Sequence, residues 1–147
     1  MQDERLRASL GNALVRLFRL VNRMHNRALA THGLSAEQAH VLSVLWVLGP
    51  MTMGQLQRQV ALSSGTLTGA IDRMEREGLV ARRPSPEDRR AVVLEPRVAK
   101  RKRAQIEASI EATEAACWNG LSATDRKDLL RLLDRAIDKL EPVAAAK

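Results

Sequence analysis

A mainly α-helical fold interrupted by one β-hairpin is what this sequence predicts, and three observations predict it. Apolar residues recur at three- and four-residue steps over most of the chain, the period of a helix packed on one face. Polar capping pairs and glycines cut that pattern into six pieces. Only the stretch around 79–94 carries two short strand-like runs flanking a turn. Apolar residues make up 45% of the 147, yet there is one Phe, two Trp and no Tyr. Leu, Ala, Val and Met must fill the core, a set that favours helices.

Taken in order, Leu6, Leu10, Leu14, Leu17, Val21, Met24 and Ala28 mark a long first helix that stops near Thr31, with Gly33 as its C-terminal glycine. Ser35 and Gln38 form a capping box, each side chain accepting from the other's backbone amide, and open the helix AEQAHVLSVLWVL, which ends at Gly49-Pro50. Thr52 and Gln55 repeat that pattern before the short helix MGQLQRQV. Ala61-Leu62 make a tight connection, and Ser63 caps a fourth helix that buries Leu67, Ala70, Ile71 and Met74 and stops at Gly78. Leu79 to Arg83 and Ala91 to Leu94 read as two strands around the Ser85–Asp88 turn. A fifth helix is expected from about Arg97 to Trp118, with Pro96 in its first turn. A sixth is capped by Ser122 with Asp125 and carries the stripe Leu129, Leu130, Leu133, Ile137 and Leu140. Only the VAAAK tail reads as disordered.

Length and chemistry exclude several classes. The chain is about one domain long. No apolar run approaches the roughly 20 residues of a membrane span, and the charged start MQDERLRASL lacks the apolar centre of a signal peptide. A lone Cys117 forms no intrachain disulfide, so the cytoplasm is the expected compartment. There is no nucleophile–base constellation, phosphate-binding glycine loop or paired catalytic carboxylate, so an enzyme is not expected, and no cofactor or metal is implied.

The charge is concentrated. Of a net +7, residues 81–103 hold nine Lys or Arg against three acids, a local excess of six. A basic run is usually a solvated face, but this one sits beside two helices joined by about four residues and followed by a hairpin. That is a winged helix-turn-helix, whose second helix enters the DNA major groove. The basic segment is then the footprint of a polyanion.

The segment LSSGTLTGAIDRMEREGLVARRPSPEDRRAVVLEP, Leu62 to Pro96, closely resembles the core of the MarR (multiple antibiotic resistance regulator) family of transcription factors. The Leu-Ser start, Thr-x-Thr, the Asp-Arg-Met-Glu-x-x-Gly-Leu-Val block and the Asp-x-Arg of the wing follow that family in order and spacing, and the flanking helices match as well. The resemblance implies one MarR-type domain over 1–147. In it, 35–95 form the winged helix-turn-helix, and helices in 1–33 and 97–141 form the dimerisation bundle of a homodimer on a pseudo-palindromic operator in double-stranded DNA. The apolar stripes of the terminal helices agree, having more hydrophobic face than so small a domain can cover.

The family pattern sends the arginine of Asp-x-Arg, here Arg90, into a minor groove, oriented by the acid, here Asp88. In an extended segment the two fall on one face, and narrow A·T-rich grooves attract arginine. Arg82, Arg83 and Arg89 are expected on flanking phosphates. On the fourth helix, Ser64, Thr66 and Thr68, following the cap Ser63, are the expected base readers, with Arg73 and Arg76 on phosphates. Gly69 stands where relatives often carry a long polar side chain; it costs about 1 kcal/mol against Ala, and the two readings are a close approach of the backbone to DNA and a neutral surface substitution. At the wing exit the chain departs from the family's Leu-Thr and Gly, with Glu95 and Val98 in those places.

Many relatives are repressors released from DNA by small, often aromatic or phenolic, anions bound between the bundle and the winged region. The candidates to line such a site are His25, His32, His40 and Trp46, with His25 and His32 seven apart on one face of the first helix. The competing readings are a constitutive or architectural DNA-binding protein without ligand, and a thiol-redox sensor using Cys117. The apolar surroundings of Cys117, beside Trp118, fit an inert buried thiol better.

Overall fold

The computed structural model describes residues 9–60 and 62–145, and these form six helices and a small antiparallel sheet. The order is α1 (Leu10–Ala30), α2 (Ala36–Leu48), β1 (Met51–Thr52), α3 (Met53–Gln59), α4 (Ser64–Arg76), β2 (Val80–Pro84), β3 (Val92–Pro96), α5 (Lys100–Cys117) and α6 (Ala123–Ala145). The start of the Leu stripe at Leu6 and the connecting Ala61 lie outside the described residues.

The helices begin and end where local chemistry satisfies their free backbone groups. Ser9 caps α1, and the capping boxes of Ser35 with Gln38 and Thr52 with Gln55 are both closed. Gly33 and Gly78 each adopt φ +72, which lets the next amide fold back. Leu34 N–H donates to Leu29 O at 3.1 Å, and Leu79 N–H to Met74 O at 2.8 Å. Both helices therefore stop on the left-handed glycine turn their sequences predict.

Four outcomes differ from the sequence reading. α1 ends at Ala30, so His32 lies in the turn beyond it and shares no helical face with His25. The strands run Val80–Pro84 and Val92–Pro96, one or two residues later than expected, and β1 adds a third strand in the order β1-β3-β2. Pro96 closes β3 opposite Val80 instead of opening a helix, because Arg97 N–H still donates to Leu79 O at 2.8 Å and holds the chain extended; α5 starts at Lys100. The expected disordered tail is helical through Ala145, with Pro142 inside α6. One missing amide on an exposed final turn leaves a carbonyl that water can satisfy, and alanines are strong helix formers. Ala146 and Lys147 lie outside the described residues.

The chain divides into two compact units. The first runs to Glu111, and the second, from Ala112, holds the end of α5 and all of α6. The core of the first unit is built from Leu29 of α1, Val41, Leu42 and Leu45 of α2, Leu56 of α3, Leu67, Ile71 and Met74 of α4, Val80 and Leu94 of the sheet, and Ile106 of α5, each nearly or fully buried. This core packs α4 against the base of the sheet. In the second unit no residue of α6 is buried.

Candidate nucleic-acid interface

The turn between α3 and α4 is set by packing and by one side chain. Val60, extended and buried, ends α3, and the amide of Gln57 donates to Leu62 O. Ser63 then caps α4, accepting from Thr66 N–H at 3.3 Å while its own hydroxyl donates to Thr66 Oγ1 at 2.7 Å. With Leu67, Ala70, Ile71 and Met74 fully buried, the opposite side of α4 is left with Ser64, Gly65, Thr66, Thr68, Asp72, Arg73 and Arg76, all exposed. Thr68 Oγ1 donates back to Ser64 O at 2.9 Å, leaving its lone pairs and methyl group to face outward. At Gly69 an added Cβ would meet only Arg73 Nη1, at 3.6 Å, so nothing inside the chain demands glycine there.

The wing loop is closed by its own backbone. Ser85 N–H donates to Ala91 O at 2.8 Å and Ala91 N–H to Asp88 O at 2.9 Å, while Ser85 Oγ accepts from the amides of Glu87 and Asp88. Asp88 and Arg90 lie in this turn, not in an extended strand. Asp88 Oδ1 accepts the backbone N–H of Arg90 at 2.9 Å. The expectation that the carboxylate holds the guanidinium is thereby corrected: in a turn the nearest donor to an Asp side chain is the amide two residues on.

The arginines of the wing divide into two kinds. Arg82 and Arg83, expected on phosphates, are engaged within the chain. Arg82 pairs with Asp72 at 2.7 Å and with Glu75, and its pKa is held above the ordinary value, first by the Asp72 hydrogen bond. Arg83 Nε lies 2.7 Å from Glu95 Oε2. Glu95, where the family places Thr, is thus a cross-strand partner, with Arg97 also 3.8 Å away. Arg89 and Arg90 stand exposed at the tip and, among the described residues, join no ion pair. Sequence reasoning gave Arg82, Arg83 and Arg89 one role because pairing partners that lie on other elements leave no local signal.

Of the ligand candidates, His32, His40 and Trp46 have different surroundings. His32 Nε2 lies 2.7 Å from Ser109 Oγ, tying the α1–α2 turn to α5. Trp46 is half-buried, with the Arg103 guanidinium 5.1 Å from its ring centre, and Arg103 also pairs with Glu107 at 2.9 Å. His25 is half-buried on α1, and His40 lies on α2 with its imidazole partly desolvated, which lowers its pKa. Among the described residues no group of three or more His, Cys, Asp or Glu is placed to hold a metal. A cavity of about 310 Å³ lies in the second unit, lined by Glu114, Trp118, Arg126, Leu129, Leu130 and Leu133, none of which sequence reasoning proposed for a ligand. Cys117 is half-buried, and desolvation, followed by the Glu114 carboxylate, pushes its thiol pKa up. Among the described residues no helix is long and apolar enough to cross a membrane.

Residues 34–92, the span of this helix-turn-helix and wing, match the family model described as MarR family. The helix-turn-helix-type transcriptional regulator YcgE of Bacillus subtilis is 36% identical over 106 residues, 69% of each chain. The chain belongs to the MarR family. Solved MarR-type structures share its fold. A mutant MarR from E. coli complexed with operator DNA superposes with a TM-score of 0.76 at 23% identity, covering 87% of this chain and 93% of that one. BpsR of Bordetella bronchiseptica, whose DNA binding is described as regulated by 6-hydroxynicotinic acid, gives 0.77 at 24% identity, covering 89% and 94%. As a MarR-family member this protein is a DNA-binding transcriptional regulator and not an enzyme.

Proposed function

We propose that the protein is a cytoplasmic, homodimeric repressor that binds a pseudo-palindromic operator and is released from it by a small aromatic or phenolic ligand. The observation that carries the DNA part is the pair of arginines at the wing tip, Arg89 and Arg90, which join no ion pair among the described residues, beside a recognition helix whose outward face is polar. In this reading Arg90 enters the minor groove and Arg89 meets phosphate. Ser64, Thr66 and Thr68 read base edges, and Arg73 and Arg76 neutralise phosphates on the other flank of α4.

Dimerisation is supported by what the chain leaves wet. On α1, Leu10 is 82% exposed and Phe18 69%; on α6, Leu130 is 61% and Leu140 64%. Apolar stripes of this length mark an association surface, and a two-fold dimer is the commonest way to cover one. Ligand release is supported by BpsR, a protein of the same fold regulated by an aromatic acid.

Titrating aromatic and phenolic acids into the protein–operator complex tests the regulatory reading. A sensor dissociates at a saturable ligand concentration, whereas a constitutive DNA-binding protein stays bound throughout.

A further inference from the structure

The recognition helix carries two acids where an approach to DNA disfavours them. Asp72 and Glu75 are exposed on α4, and with Thr68 they occupy positions i, i+4 and i+7, one flank of the helix. Left alone, these carboxylates repel phosphate. Arg82 of β2 reaches both, with Nη2 2.7 Å from Asp72 Oδ1 and Nη1 on Glu75 Oε2. A guanidinium is planar and its N–H groups point in fixed directions. Two carboxylates from one helix, held by its two terminal nitrogens, therefore restrict how α4 can turn relative to β2. On the wing side, β2 is itself braced against β3 by the Arg83–Glu95 pair and by the register Arg82↔Leu94, with Leu94 1% exposed.

We propose that Arg82 is a positioning residue that locks the wing to the flank of α4 bearing Thr68, so that wing and recognition helix meet DNA in one fixed register. The inference rests on the DNA-binding reading above. Arg82 acts through Asp72 and Glu75 and does not itself neutralise a phosphate. Its contribution is to discrimination between sequences, because a wing free to swing still attracts phosphate but no longer fixes where the helix sits over the bases.

The alternative is that Arg82 leaves its carboxylates and binds DNA, and the two roles give opposite results. The test measures salt-dependent binding of the full-length protein to a selected operator and to a scrambled duplex. For the double variant Asp72→Asn/Glu75→Gln, loss of two negative charges tightens binding to the scrambled duplex, while the operator-to-scrambled ratio falls about tenfold, the scale of one misread base pair. Arg82→Gln gives the same fall in ratio with the salt slope unchanged. Combining the three changes brings no further loss, since all break one contact. Arg82→Lys, which keeps the charge but not the fork, falls in ratio as well, and it serves as the check if Arg82→Gln proves unstable in thermal unfolding. A salt slope reduced by about one unit in Arg82→Gln, or an unchanged ratio in the Asp72/Glu75 double variant, overturns the proposal. A wild-type protein that binds neither duplex fails the DNA reading itself, and this inference with it.

Discussion

Asp88 holds the backbone of Arg90, not its side chain: Oδ1 accepts the Arg90 amide at 2.9 Å across the wing turn. The acid shapes the loop that presents the arginine, and the distinction has a consequence. Asp88→Ala should weaken operator binding by roughly fivefold, the scale of one hydrogen bond of about 1 kcal/mol. Asp88→Asn keeps an oxygen acceptor for that amide and should bind at least as tightly as wild type. An Asn variant as weak as the Ala variant shows that the negative charge matters, and that the backbone role is wrong.

Gly69 has room for a methyl group, with Arg73 Nη1 at an ordinary 3.6 Å from the added carbon. Gly69→Ala should therefore stabilise the protein by up to about 1 kcal/mol, the difference in helix propensity. Operator binding should weaken at the same time, because the glycine backbone is what approaches DNA. Thermal unfolding and operator titration read the two effects separately. A variant that is more stable and binds normally makes Gly69 a neutral surface residue.

Cys117 should react slowly. Burial and the Glu114 carboxylate raise its pKa, so at neutral pH its thiolate fraction lies below that of a free thiol. Iodoacetamide at pH 7.5 should label it more slowly than a small cysteine peptide, and mild peroxide should leave operator binding unchanged in both the parent and Cys117→Ser. A parent protein that loses DNA on oxidation, with the Ser variant immune, makes it a thiol sensor.

The exposed stripes of α1 and α6 predict association at micromolar concentration. Sedimentation equilibrium should give twice the chain mass of 16.3 kDa. A single-chain mass at that concentration contradicts the dimer.

Features fixed by neighbours in the chain were legible in advance. The capping boxes of Ser35 and Thr52, the glycine stops at Gly33 and Gly78, and the buried set Leu67, Ala70, Ile71 and Met74 all depend on spacings of three or four residues, and all are present. What escaped depends on contacts between elements. The strand Met51–Thr52 is too short to show a period and exists only because β3 pairs with it. The Arg82 pairs join residues seven and ten positions apart across a turn. Asp88 and Arg90 read as extended because two residues cannot distinguish a strand from a turn. Arg126 and Glu114 are brought to one cavity by the meeting of α5's end with α6, which no local pattern reveals.

The central claim is that the wing tip grips DNA through Arg90 while α4 reads it. The most direct measurement is the salt dependence of binding for wild type, Arg90→Ala and Thr68→Ala, on a selected operator and a scrambled duplex. Arg90→Ala should weaken binding to both, with the salt slope lower by about one unit and some extra loss where an A·T-rich flank is present. Thr68→Ala should leave the slope alone and relax preference at one base step, costing about 1 kcal/mol on the operator. If Arg90→Ala binds both duplexes as wild type does, the wing takes no part in holding DNA and the account is contradicted.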